Sequence, residues 1–179
     1  MTSDPIYAII FIEWKGGNKM DNELRYAPHH SKAYNQWLCI TFPWLRPRNI
    51  WTDTEIDDYE YDYTLLDDMP DGWYEAFGEK MCFELKAILD EADYNQEYRV
   101  IEIKEKFGGL RWYDNGAPAS IYTKIQDIIY KYESISYKTC IKCGASADGL
   151  TTGWIMPFCQ HCADTEKFNI VPFTEVGLG

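Results

Sequence analysis

The chain has 179 residues, 46% of them hydrophobic and 16% aromatic, and a formal net charge of −12. That is enough apolar material to bury one domain with an appendage, or two small ones. The charge is divided unevenly, with 20 acidic and 8 basic residues from Met1 to Tyr98 against 9 of each from Arg99 to Gly179. An acidic first half repels nucleic acid and attracts basic surfaces. With only three histidines and no recognisable set of acid, base and nucleophile, the chain is expected not to be an enzyme.

No charged segment followed by an apolar one opens the sequence, and the run from Ile6 to Ile12 is too short to cross a membrane. A cytosolic setting is expected, with Cys39 and Cys82 as buried reduced thiols. Ile6 to Trp14, closed by Gly16 and Gly17, reads as a buried strand. His29 and His30 are adjacent beside Pro28, and adjacent side chains rarely converge on one metal. Ser31 to about Ile40 reads as a short helix ending before Pro43, with Tyr34, Trp37 and Leu38 turned inward.

The densest charge run follows. Asp53, Glu55, Asp57, Asp58, Glu60, Asp62, Asp67, Asp68 and Asp71 have no Lys or Arg among them. The default reading of such a run is a solvated loop. Strict alternation from Asp58 to Tyr63 instead suggests an extended segment, with Asp58, Glu60 and Asp62 on one side and Tyr59, Tyr61 and Tyr63 on the other. Carboxylates at strand spacing would imitate a phosphate backbone or dock Arg and Lys side chains. Asp53, Glu55, Asp57, Asp58, Glu60 and Asp62, with Tyr59 and Tyr61, are the candidate partner-binding residues.

A firmer helix begins after Asp71, the expected N-cap, and carries Trp73, Phe77, Met81, Leu85, Ile88 and Leu89 at helical spacing, with Cys82 packed beside them. Tyr98 to Lys106 and Leu110 to Tyr113 form two extended runs around Phe107, Gly108 and Gly109, the clearest hairpin in the chain. Ser120 is expected to cap a second helix with Ile121, Ile125, Ile128, Ile129 and Tyr132 on one stripe.

That helix leads to two C-x2-C pairs, Cys140 with Cys143 and Cys159 with Cys162, separated by fifteen residues. This is a metal-binding spacing. Each pair can curl two thiolates onto one ion, and the two pairs fill a tetrahedral shell of four sulfurs, the arrangement of structural zinc. A catalytic zinc keeps one position open, which four thiolates do not. Gly144 and Ala163 put small residues where the knuckles turn back, and His161 is a possible substitute ligand. Two disulfides or a thioredoxin-like redox pair are the competing readings, but the redox motif requires a C-x-x-C beside a βαβ pattern and usually comes singly.

The string KEKFGGLRWY from Lys104 to Tyr113, preceded by DGWYEAF at 71–77 and followed by CIKCG, TGWIMP and CQHC, resembles a family of small, mostly uncharacterised proteins encoded by bacteriophages and prophages. The resemblance spans roughly Asp71 to Ala163 and includes the Gly153, Trp154 and Ile155 element. It implies a glycine-rich hairpin, a following helix and a C-terminal zinc-binding segment, and no activity. The first seventy residues lie outside it.

Gly108 and Gly109 with Lys104, Lys106 and Arg111 also invite a phosphate-loop reading, but such a loop should open a helix, and this pair joins two strands. The expected fold is therefore α+β, a small antiparallel sheet with two or three packed helices and a C-terminal zinc-ribbon-like segment. The expected regions are an acidic, aromatic-rich stretch at 1–70, a helix-hairpin-helix core at 71–137 and a zinc-binding segment and tail at 138–179. Two functions fit. One is a non-enzymatic interaction protein whose acidic surface binds a basic surface on a host protein, such as a nuclease or defence complex, as an inhibitor would. The other is a nucleic-acid-associated zinc protein in which Lys138, Lys142 and the basic residues of the hairpin contact phosphate while Trp154 and nearby aromatics stack on bases.

Overall fold

The computed structural model describes residues 24–49 and 51–176. The expected strand from Ile6 to Trp14 lies outside them. The fold is α+β, with packed helices, two small antiparallel sheets and the four cysteines at the C-terminal sheet.

Helix α1, Lys32–Thr41, starts where expected: the Ser31 side chain accepts the Tyr34 N–H at 3.2 Å. It turns Tyr34, Trp37 and Leu38 inward and gives way to a 3-10 turn, Pro43–Leu45, that buries Trp44 and Leu45. A second 3-10 turn, Leu65–Asp68, is held by the Asp67 carboxylate, which accepts from the Thr64 N–H and from its hydroxyl.

One continuous helical stretch follows: α2 at Asp71–Trp73, a π turn at Tyr74–Gly78 and α3 at Glu79–Glu91. Its N-cap is Pro70, not Asp71. Asp71 is the first helical residue, and no bond from its side chain to the helix N–H groups is made. The apolar residues Trp73, Phe77, Met81, Leu85 and Leu89 recur every four residues, a spacing that drifts by about 40° per step on a regular helix. The π turn adds one residue to a single coil and cancels part of that drift, so all five side chains reach one core. Cys82 is buried beside them, while Ile88 is only partly covered.

Strands β1, Val100–Lys106, and β2, Gly109–Asp114, form the hairpin, with Lys106 opposite Gly109. The two turn residues are therefore Phe107 and Gly108, at φ 54° and 78°. Positive φ at both central positions is the type I′ pattern whose twist matches the strands. Helix α4, Ala119–Ser136, packs on α3 and β2 with Ile121, Ile125, Ile129 and Tyr132 buried. Pro118 caps it, and Ser120 lies in its first turn without a capping bond. The Pro118 carbonyl accepts from the Ile121 and Tyr122 N–H groups at 3.0 and 2.9 Å, so the helix already starts there.

The main core takes Tyr34, Trp37, Phe42, Trp44, Leu66 and Met69 together with side chains from α3, the hairpin and α4. Residues on the two sides of position 70 thus share one interior. The second sheet has the order β4-β3-β5, with β3 at Gly149–Thr151, β4 at Pro157–Phe158 and β5 at Ile170–Pro172. Helix α5, Gln160–Glu166, and the short α6, Phe173–Val176, complete the described chain. Among the described residues no helix is long and apolar enough to cross a membrane.

The predicted strand from Asp58 to Tyr63 does not form. Asp58 and Tyr61 have φ of 55° and 61°, left-handed values that interrupt the alternation of faces, and the segment runs as turns. Aspartate tolerates that region comparatively well. Tyr61 is held there from outside, since the buried Asn35 amide donates to its carbonyl at 3.1 Å.

The hairpin is tied to α4 by a buried bond from the Leu110 N–H to Ser136 Oγ at 2.8 Å. Ser136→Ala strands that N–H, and a loss of about 1–3 kcal/mol is expected in denaturant unfolding. An unchanged unfolding midpoint would show that water or another acceptor replaces the hydroxyl.

Candidate metal centre

The first cysteine loop is shaped by its backbone. The Cys140 N–H donates to the Ala145 carbonyl at 2.7 Å and the Gly144 N–H returns to the Cys140 carbonyl at 3.0 Å, while Thr139 and Ser146 bridge its base. Gly144 sits at φ 75°, a conformation that glycine adopts without cost. Strand β4 delivers the second pair. Cys159 is the N-cap of α5, and its sulfur accepts the Cys162 N–H at 3.4 Å. The Ile141 N–H donates to the Pro157 carbonyl at 2.9 Å and joins the two loops.

These elements bring the four sulfurs within 4.8 Å of one another. Cys143 and Cys159 have their sulfurs 3.7 Å apart. A metal–sulfur bond of about 2.3 Å in a regular tetrahedron requires sulfur separations of about 3.8 Å. The donor set thus fits one metal ion of zinc type. Cys140 and Cys162 are buried, and Cys143 is the exposed member.

The sulfurs differ electrostatically. Burial pushes the Cys140 thiol up, but N–H groups near Cys159, Cys143 and Lys142 outweigh it and bring the group down to about 7. Burial and the neighbouring thiols drive Cys162 upward, and burial likewise raises Cys159. Four thiolates so close together repel one another, and a divalent cation is the charge that relieves the repulsion. His161 is exposed and contributes no atom to the cluster.

The cluster is mounted on the core by close backbone contact. The Gly72 N–H donates to the Ile141 carbonyl at 3.0 Å, and the buried Trp73 indole donates to the Thr139 carbonyl at 2.9 Å. A Cβ on Gly72 would lie 2.3 Å from the Cys140 carbonyl oxygen, and one on Gly144 would lie 2.6 Å from the Gly72 carbonyl oxygen. Nothing in the sequence marked Gly72 as part of this site, because its role depends on a contact with chain seventy residues away.

The other sequence candidates occupy different places. The glycine turn holds no free phosphate cradle, because the Gly108 N–H already donates to Glu105 at 2.6 Å. Lys104 pairs with Glu102 at 2.6 Å and Arg111 donates to the Tyr137 hydroxyl at 3.0 Å. Trp154 is 72% exposed, its indole 3.2 Å from Glu105. His29 and His30 diverge, to Glu75 at 2.7 Å and to Asp67 at 2.6 Å.

The acidic run is more internally paired than its sequence suggests. Arg48 holds Asp53 at 2.9 Å, Arg46 holds Glu55 at 3.2 Å, and Lys32 holds Glu60 and Asp62 at 2.7 and 2.8 Å. Asp57 and Asp58 are exposed and form no ion pair among the described residues. Tyr59 and Tyr61 lie with ring centres 4.9 Å apart, and the Arg46 guanidinium sits 5.1 Å from the Tyr59 ring centre. These cationic partners escaped the sequence reading; Arg46 and Arg48, one residue apart just before the run, were the available signal.

The Gly72 contact yields a paired test. Gly72→Ala is expected to destabilise the chain by about 1–3 kcal/mol, although alanine favours helix, and to lower metal content measured by plasma emission. Gly78→Ala, whose Cβ would meet nothing closer than Met69 sulfur at 3.5 Å, is expected to be neutral or stabilising. Equal melting temperatures for the two variants would remove the close-packing account. No family model, curated protein or solved structure matches the chain.

Proposed function

We propose that the protein is a non-catalytic interaction protein of phage type, stapled by one structural zinc ion, whose acidic loop docks on a basic surface of a host protein such as a nuclease or defence complex. The zinc reading is supported by the closed set of four sulfurs, which leaves no coordination position for water or substrate. The docking reading rests on one observation, the display of exposed carboxylates from Asp57 to Asp62. Glu60 and Asp62 are 72% and 67% exposed even while paired to Lys32. Ion pairs that exposed add little stability, so a partner's Lys or Arg can replace Lys32 at little cost. Asp57 and Asp58 add two exposed carboxylates beside them. Such a surface speeds encounter with a basic groove and disfavours nucleic acid.

Contact with nucleic acid through Trp154, Lys138 and Lys142 is the competing reading, favoured by the exposed indole. Glu105 already engages that indole, and Glu166 lies 3.6 Å from the Lys142 amine. Both carboxylates would face an approaching phosphate.

The full chain and the variant Asp57→Asn, Asp58→Asn, Glu60→Gln, Asp62→Asn are to be used as baits in host lysate at about 0.15 M salt. A basic protein retained by the first and lost from the second is the expected outcome. Identical captures by both baits would end the acidic-docking reading. In parallel, fluorescence anisotropy with a single-stranded oligonucleotide is expected to show no tight, salt-sensitive binding, and finding it would favour the competing reading.

A further inference from the structure

A cleft of about 230 Å³ lies between the end of α1, the segment after the first 3-10 turn and the chain entering β1. Arg46, Arg48 and Arg99 line it, together with Gln96, Tyr61 and a single carboxylate, that of Glu55. With Asp53, which pairs with Arg48, three guanidinium groups meet two carboxylates there, a remaining excess of positive charge on an acidic chain. Long-range charge does not account for them. They are brought together from positions 46 to 99 by the fold itself.

The arginines stand on rigid supports. Arg46 follows the buried Trp44 and Leu45, and Arg99 follows the buried Tyr98, whose ring meets Trp44 at 5.6 Å. Their internal partners leave donors over. Arg46 contacts Glu55 through one terminal nitrogen at 3.2 Å, while its Nε is buried without a hydrogen-bond partner. Arg99 donates to the Tyr98 carbonyl at 2.6 Å and has no carboxylate partner among the described residues. Arg48 is engaged by Asp53 at 2.9 Å. Buried donors that lack acceptors are costly to leave so, and planar guanidinium forks match the paired oxygens of phosphate and carboxylate.

We propose that this cleft binds a small oxyanion, a ligand presenting a phosphate or carboxylate group to Arg46 and Arg99, with Glu55 as the internal anion it displaces. The volume is below the range of roughly 300–1,000 Å³ typical of sites for drug-sized ligands, so the ligand is a compact anion or the anionic end of a larger one. Glu55 is 63% exposed and reaches the cleft from the turn segment that follows Asn49, so it can swing out without disturbing the core. Tyr61 lines the cleft between Glu60 and Asp62, so this site borders the exposed carboxylates assigned to partner docking.

Isothermal titration calorimetry of the zinc-loaded full chain with inorganic phosphate, and separately with succinate, at ionic strength matched by sodium chloride, tests the proposal. Saturable binding of at least one is expected, and the stronger of the two identifies the anion class. Arg99→Gln is expected to weaken binding by about tenfold or more, and Glu55→Gln to tighten it severalfold because the competing carboxylate is gone. No saturable heat with either anion, or an Arg99→Gln variant that binds like the parent, overturns the proposal. Circular dichroism checks that each variant folds; if Arg99→Gln does not, Glu55→Gln decides, and unchanged or weaker binding by it overturns the proposal.

Discussion

The contact between Gly72 and Gly144 governs how the two halves of this molecule meet. Both lack the one atom that would hold the cysteine loop off the helix, since a Cβ on either would fall within 2.6 Å of backbone oxygen. At that separation the peptide groups bond directly, Gly72 N–H to Ile141 carbonyl, and the Trp73 indole reaches the Thr139 carbonyl. The metal loop is therefore seated on the first turn of the central helix. Order in the cysteine loop and packing of the core are thereby coupled, because ordering the loop also orders the beginning of the helix that most of the core packs upon.

The π turn at Tyr74–Gly78 follows immediately. It lets a stripe with four-residue spacing face one interior along its whole length, and it places Tyr74 next to His29 and His30. Those histidines fasten the entry to α1 onto Glu75 and Asp67. The segment before α1, the 3-10 turn at Leu65–Asp68 and the central helix are thereby linked by side-chain bonds as well as by burial. The acidic run leaves this framework as a chain of turns, anchored at intervals by Lys32, Arg46 and Arg48.

What could be read from sequence were features whose cause is local. The spacing of Trp73, Phe77, Met81 and Leu85 specifies a buried helix face, the Ser31 cap starts α1, and the two cysteine pairs announce their cluster. The alternation from Asp58 to Tyr63 misled because period two is a necessary property of a strand, not a sufficient one. Among the described residues that segment pairs with no strand, and left-handed residues at Asp58 and Tyr61 accompany its bonds to Asn35 and Lys32 instead. Helix starts were displaced by one or two residues wherever proline could occupy the cap, as at Pro70 and Pro118. The arginine cleft was invisible for a different reason: its residues are ordinary one by one, and only the packing of Trp44 against Tyr98 makes them neighbours.

The hairpin tip carries its own lesson. An Asn-Gly pair is the residue choice that suits a type I′ turn, yet the first turn position here is Phe107, a bulky residue in the left-handed region with its ring 69% exposed. Left-handed backbone costs an ordinary side chain about 1–2 kcal/mol, and an exposed ring recovers little of that through burial. Stability alone would place asparagine at position 107. The tip is thus a point where folding and surface chemistry pull apart, and the surface there is aromatic: Phe107 is adjacent to Gly108, on which a Cβ would lie 3.1 Å from the side chain of Ile155, the neighbour of exposed Trp154.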